Sequence, residues 1–360
     1  MPPATIPFRS SPRRLRAVLV VAGKLTAVGA VGWYLVRSGG LRSEYFQFTA
    51  DSAAVIACGV ALTALVMFVG PLRHFLLLRA AGIEITATRT WRIGLIGGFF
   101  NNFLLGSFGG DFVRYMYAAD AGRGRAAAAA ATLVDRLIGL LSVVLLASAA
   151  AAWGLTNETT GTVRSFFLTV VAIPILGLIG LAATWWIGRG RFVVGAERLV
   201  DRLPRRMGEV AQRLLAAFVP LQRQPAALAA ALVMSLTLQS LTIASIYLIG
   251  LGTPIERAPT LGETCFGTPF AFLANSLPLP GSGLGAGEAA FDRALRGDFD
   301  GRGTTGLRGG ATIFLFWRCW TIVISLIGLP LYLVESRSRR RATQTVPQTA
   351  PSISNLRNAA

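Results

Sequence analysis

The sequence predicts an all-α polytopic integral membrane protein, with about six full transmembrane helices and two re-entrant, broken hairpins in an inverted repeat. Three observations carry that expectation. Of 360 residues, 53% are hydrophobic and only 14% charged, with a mean hydropathy of +0.57, whereas a soluble domain carries about 25% charged residues. Apolar runs of about 20 residues recur along the chain, the length a helix needs to cross the hydrocarbon of a bilayer. Finally, two matching stretches mix apolar side chains with glycine, asparagine and an acid, a composition that survives in a membrane only where other helices or a wet cavity shelter it.

Charge and residue counts narrow the chemistry. The net charge is +18, but the arginines cluster in short loops between apolar runs. Positive-inside retention explains them, and no nucleic-acid partner is expected. The three cysteines, Cys58, Cys265 and Cys319, are far apart, and His74 is the only histidine. Disulfide frameworks, metal sites and histidine-based catalysis therefore have no basis. The Gly106-Ser107 and Gly281-Ser282 dipeptides lack a histidine or lysine base nearby, so no catalytic residue is assigned and no enzyme is expected. No Gly-rich loop ends in Lys-Ser/Thr, which removes the sequence basis for ATP-driven pumping. No cofactor is implied.

In chain order, residues 1–16 carry Arg9, Arg13, Arg14 and Arg16 and read as a basic cytoplasmic N-terminus. The first span is about 17–36. The second is about 52–71, ended by Pro71 and followed by a loop with Arg73, Arg79, Arg89 and Arg92. Residues 93–110 have basic loops on both sides, which makes them a hairpin entering from inside rather than a crossing. Spans follow at about 133–153 and 166–187. Residues 188–225 hold eight arginines against three acids, with Met207, Val210, Leu214 and Phe218 at helical spacing. They read as an amphipathic helix on the inner leaflet. Further spans cover about 226–251 and 310–334, and residues 264–285 form a second hairpin entering from outside. Residues 17–335 make one membrane domain with both termini cytoplasmic in the cell membrane, and 336–360 a disordered polar tail.

Each half thus reads span, span, hairpin, span, with opposite orientation. Inverted repeats with Gly/Pro-broken elements at matching positions point to a transport site near the membrane midplane. The first hairpin runs Asn102, Gly106, Ser107, Gly109, Gly110, Asp111 and then Arg114; the second runs Asn275, Pro280, Gly281, Gly285 and Glu288. Glycine lets backbones approach and proline interrupts helices, leaving N–H groups that form an anion-binding nest. Arg114, Arg136 and the intramembrane Arg318 can add charge-assisted bonds to a lipid phosphate. Equally, Arg114 and Arg136 can be snorkelling residues paired with Asp111 and Asp135. Arg318 needs a buried partner, for which Asp111, Asp135 and Glu288 are candidates. Asn101, Asn102 and Asn275 can instead cap hairpin helices. Gln239, mid-span, reads as interhelical glue.

At these residues the chain resembles the flippase-like membrane family named for the transmembrane domain of lysylphosphatidylglycerol synthase. The marks are Asn102…Gly106-Ser-Phe-Gly-Gly110-Asp111…Arg114, Asp135-Arg136-Leu-Ile-Gly139, Pro280-Gly281…Gly285…Glu288-Ala-Ala-Phe291 and Arg318, over residues 17 to 335. Leu105 stands where the family often has proline. The resemblance implies lipid handling, because the membrane part of the two-domain synthases is thought to move aminoacylated phosphatidylglycerol between leaflets. No synthase domain follows the last span here, so lysine transfer is not expected. The expected activity is translocation of an anionic phospholipid, glycolipid or polyprenyl-linked lipid without ATP, with membrane lipids as partners. A scaffold that recruits a lipid- or glycan-synthesis enzyme through residues 188–225 is the alternative. A lipid-modifying enzyme using Asp111, Asp135 or Glu288 is a weaker one.

Overall fold

The computed structural model describes residues 43–47, 49–103, 109–120, 124–155, 220–221, 223–276, 285–296 and 306–344, with isolated positions besides. All regular structure among them is helical. After a 3-10 turn at Ser43–Phe46 come α1 (Ala50–Ala80), α2 (Ala87–Phe103), α3 (Gly109–Ala119) and α4 (Arg125–Leu155). The second half supplies α5 (Pro225–Gly252), α6 (Leu261–Ser276), α7 (Ala286–Arg296), α8 (Gly310–Ser325) and α9 (Gly328–Gln344). Among the described residues, four segments are long and apolar enough to cross a membrane: Ala50–Ala80, Arg125–Ala152, Pro225–Gly252 and Gly310–Arg337. They correspond to four of the six expected spans. The expected spans at 17–36 and 166–187, and the amphipathic 188–225 segment apart from a few positions, lie outside the described residues.

Pro71 does not end α1, contrary to the sequence reading. The helix opens with a reciprocal cap between Thr49 and Ser52 and runs through the proline to Ala80. Proline removes one N–H and disturbs the carbonyls a turn earlier. In a bilayer those carbonyls need another donor, and the Trp91 indole supplies one, donating to Phe68 O at 2.9 Å. Arg73 and His74 therefore sit on a helix rather than in a loop. The last span also differs: α8 and α9 meet at a break over Leu326–Ile327. Helix α9 continues to Gln344, past the expected start of the tail at 336, and residues 345–360 lie outside the described ones.

Helices α1 and α5 form the longest seam in the molecule and run antiparallel. Ile56 meets Gly252, Thr63 meets Ser245, Arg73 meets Ser235 and Leu77 packs with Ala231. Small residues allow a close approach. A side chain at Gly59 would sit 2.8 Å from Ser245 O, and the Ser245 hydroxyl donates to Gly59 O at 2.7 Å. Where lipid removes the hydrophobic drive between helices, such packing and hydrogen bonds do the associating.

Both glycine-rich stretches fold back as helical hairpins. In the first, Gly97 of α2 lies against Gly110 and Arg114 of α3. In the second, Gly267 of α6 faces Phe291 and Leu295 of α7, and Asn275 faces Gly287. The arms, 87–119 and 261–296, are longer than the expected 93–110 and 264–285. Each hairpin packs against the final span of the other half: α2 on α8 and α9, α6 on α4. One buried cluster gathers Leu78, Ile83, Ile93, Tyr117 and Ala131 around the first hairpin. A second gathers Ile249, Phe291, Leu295 and Phe314 around the other.

Candidate functional site

At the first hairpin, Gly110 approaches the Gly97 carbonyl so closely that a Cβ would overlap it. That contact brings the start of α3 under α2, where Asn101 Oδ1 accepts from Gly110 N at 2.8 Å and caps the helix. Capping fixes Asp111 and Arg114 on the α3 face turned toward α4. Asp111 pairs with Arg136 of α4, and Arg114 Nη1 stands 3.9 Å from Asp111 and 4.0 Å from Asp135. Asp135, 5% exposed, accepts from Arg73 Nε at 2.8 Å. The other end of the Arg73 guanidinium donates to Ser235 Oγ at 2.7 Å, and Ser235 meets Ser142, which donates to Gly139 O. Four helices, α1, α3, α4 and α5, are thereby tied through one polar network.

Beside this network lies a cavity of about 220 Å³ between α1, α2, α3 and α5. Arg73, Arg114, Ser235, Gln239 and Thr242 line it together with apolar residues of α1, α2 and α5. Arg114 is held loosely here. Besides the two long ion pairs, its Nη2 reaches only Gly94 O at 3.5 Å, and its buried Nε has no hydrogen-bond partner. Gln239 makes no interhelical bond among the described residues, so the glue role read from the sequence is not the one the structure gives it. Among the described residues, the cavity is lined by two arginines, Arg73 and Arg114, and by no carboxylate. A cation within apolar helices is costly and calls for an anion.

The second hairpin repeats the design with tighter packing. Asn275 stands against Gly287, where a Cβ would overlap its amide. Arg318 of α8 lies 3.0 Å from Glu288 and donates to Asn275 Oδ1 at 2.6 Å. Glu288, 1% exposed, also accepts from Gly285 N at 2.7 Å. One turn on, Asp292 pairs with Arg296 at 2.6 Å and accepts from Ala311 N, tying α7 to the start of α8. Asn101, Gly110, Asp111 and Arg136 in the first half thus have counterparts in Asn275, Gly287, Glu288 and Arg318.

The sequence-derived residues fall into four groups. Gly110, Asp111, Arg114, Asp135 and Arg136 come together in the first cluster, and Asn275, Gly285, Glu288 and Arg318 in the second. Gly109 opens α3. Asn102 turns back to donate to Gly98 O at 3.3 Å, and its neighbour Asn101 does the capping. Gly106, Ser107, Pro280 and Gly281 lie outside the described residues. For Arg318, the structure selects Glu288 from the three candidate partners. Sequence reasoning missed Arg73, His74 and Ser235. Continuing the α1 periodicity through Pro71 would have placed the first two inside a helix. Among the described residues, no group of three or more histidine, cysteine or acidic side chains is placed to hold a metal.

A family model described as the lysylphosphatidylglycerol synthase TM region matches residues 17–328. The chain belongs to this family. That membership makes it a multi-pass membrane protein linked to lipid metabolism. The family match covers both hairpins and both ion-pair clusters. No curated protein and no solved structure matches the chain.

Proposed function

We propose that the protein carries an anionic lipid, a phospholipid, glycolipid or polyprenyl-linked lipid, between leaflets without ATP, and that it is a transporter rather than an enzyme. The observation that carries this reading is the cavity between α1, α2, α3 and α5, lined by Arg73 and Arg114. Its polar lining suits a phosphate-bearing head group, and the apolar surroundings suit acyl chains. Arg114 and Arg73 are the head-group ligands, with Gln239 beside them. The second cluster, around Arg318, is the counterpart engaged when the site faces the opposite leaflet. In this reading six spans and two re-entrant hairpins form an inverted repeat, with both termini in the cytoplasm of a cell-membrane protein. The antiparallel α1–α5 seam and the exchange of hairpin contacts between halves support it, because corresponding helices of inverted halves run in opposite directions.

The test is reconstitution into vesicles with fluorescent phosphatidylglycerol and an impermeant quencher. Wild-type vesicles are expected to expose inner-leaflet probe, and Arg114→Gln to slow exposure by at least tenfold. A wild-type rate no faster than that of empty vesicles would sink the reading. Topology has its own check: in a cysteine-free background, single cysteines replacing Arg89 and Ala121 should label from the cytoplasm, and those replacing Thr160 and Thr304 from outside. Labelling of the Ala121 position from outside would make the first hairpin an ordinary crossing.

A further inference from the structure

The first cluster contains three polar groups that the hairpin geometry leaves unused. Both ring nitrogens of His74 lack a hydrogen-bond partner although the residue is only 2% exposed. The Nε of Arg114 is likewise unpartnered. Asp135 gives one oxygen to Arg73, while the other stands 3.9 Å from His74 Nδ1 and 4.0 Å from Arg114 Nη1. One carboxylate oxygen thus lies between two donors and is in hydrogen-bond contact with neither. A buried polar group without a partner is costly, and an apolar side chain of similar size would avoid that cost. The position of this ring beside Asp135 calls for an explanation beyond packing.

We propose that His74 and Asp135 form a proton-binding site linked to the anion that Arg114 grips in the adjoining cavity. The inference rests on the cavity being the lipid head-group site. The charged groups acting on His74 are Arg73 on its own helix, Asp111 and Arg114 on α3, and Asp135 on α4. The α5 groups closest to the network, Ser235 and Gln239, are uncharged. With the cavity empty, Asp135 shares its free oxygen with Arg114 at 4.0 Å. A proton arriving at Nδ1 makes the ring a donor to that oxygen. Arg114 then loses its share of Asp135 and turns its guanidinium to the cavity. A bound monoanion offsets the charge that the proton brings. Proton and anion therefore enter together, and the proton leaves Nδ1 when the anion leaves. By linkage, whatever strengthens one strengthens the other. One proton moving with one monoanionic lipid transfers no net charge, so the membrane potential neither drives nor opposes the step.

The experiment is calorimetric titration of the full-length, detergent-solubilised protein with dioctanoyl phosphatidylglycerol at pH 6.5. Two buffers of different ionisation enthalpy are compared, for wild type and His74→Gln. The wild type is expected to give buffer-dependent heats corresponding to uptake of up to one proton per lipid. Its affinity should rise, by up to about tenfold per pH unit, as the pH falls. His74→Gln is expected to bind with the same heat in both buffers. Buffer-independent binding by the wild type, or unchanged proton uptake by His74→Gln, overturns the proton site and leaves the lipid site standing. No binding at all overturns both. Should His74→Gln fail to fold, wild-type vesicles loaded with a pH-sensitive dye decide the matter: movement of phosphatidylglycerol without a matching change in internal pH overturns the proposal.

Discussion

Glu288 and Arg318 form a buried ion pair at 3.0 Å, and the same guanidinium donates to Asn275 at 2.6 Å, so one arginine joins both arms of the second hairpin to α8. Removing one member of a buried pair strands the other charge, at a cost of about 3–5 kcal/mol, whereas replacing both with apolar residues is often neutral. Arg318→Met should therefore lower the thermal midpoint sharply in detergent, and Arg318→Met with Glu288→Leu should recover most of it. Vesicle transport by the double variant then isolates function from stability. Transport equal to wild type would remove Arg318 from the translocation site.

The hairpins depend on backbone approach at two glycines. Gly110→Ala and Gly287→Ala each drive a methyl group into a neighbour, the Gly97 carbonyl and the Asn275 amide respectively. Overpacking of this kind costs about 1–3 kcal/mol. Gly98→Ala is the control, because its added carbon meets only Met67 Cε at 3.9 Å. It should be neutral or stabilise by up to about 1 kcal/mol through helix propensity. Thermal unfolding of the three variants side by side checks the ranking.

The two adjacent asparagines should behave differently. Asn101→Ala removes the cap on Gly110 N and should cost about 1 kcal/mol. Asn102→Ala breaks only a bond to a carbonyl of its own helix, at 3.3 Å, and should cost less. Equal losses in thermal unfolding would contradict the capping assignment.

Outside the four spans, Glu263 gives a pH-dependent contribution. Thr260 and Glu263 cap the start of α6 reciprocally, and Arg257 pairs with the same carboxylate. Partial burial pushes the Glu263 carboxyl up, but the bonds from Arg257 and Thr260 outweigh it and hold the carboxyl below the usual glutamate range. Because the folded value is depressed, the stabilisation is complete above the unfolded value and fades as pH falls through the folded one. The pair is partly exposed, so the gain is under about 1 kcal/mol. Wild type should thus keep its advantage over Glu263→Gln above the usual glutamate range and lose it progressively as the pH falls below that range. An advantage that does not depend on pH would refute the assignment.

Much of this architecture was legible in the chain. The apolar runs mark α1, α4, α5 and the α8–α9 span because the lipid-facing requirement is written into composition. The Gly-Gly-Asp and Gly-x-Gly-Glu steps mark the hairpins because close backbone approach and capping leave few residue choices. Pairings across helices were legible only as sets of candidates, among them Arg136 with Asp111 and Arg318 with Glu288. That Asp111 takes Arg136, while Asp135 takes Arg73, depends on the helix running through Pro71, which a local reading treats as a stop. Likewise Asn101 and Asn102 are equivalent as letters, and only the fold-back geometry decides which of them reaches Gly110.

The seam between α1 and α5 has a mechanical consequence. Its two ends differ: at Gly59, Thr63 and Ser245 the helices meet through small side chains, whereas nearer the other end the Arg73 guanidinium bridges to Ser235. Such a joint behaves as a lever with its fulcrum at the glycine end. Arg73 lies about 15 Å along the helix from Thr63, at 1.5 Å per residue. Rocking by about 10° about the fulcrum displaces the arginine end by about 2.6 Å, enough to exchange a direct hydrogen bond for a ligand-bridged one, while the contacts at the fulcrum barely move.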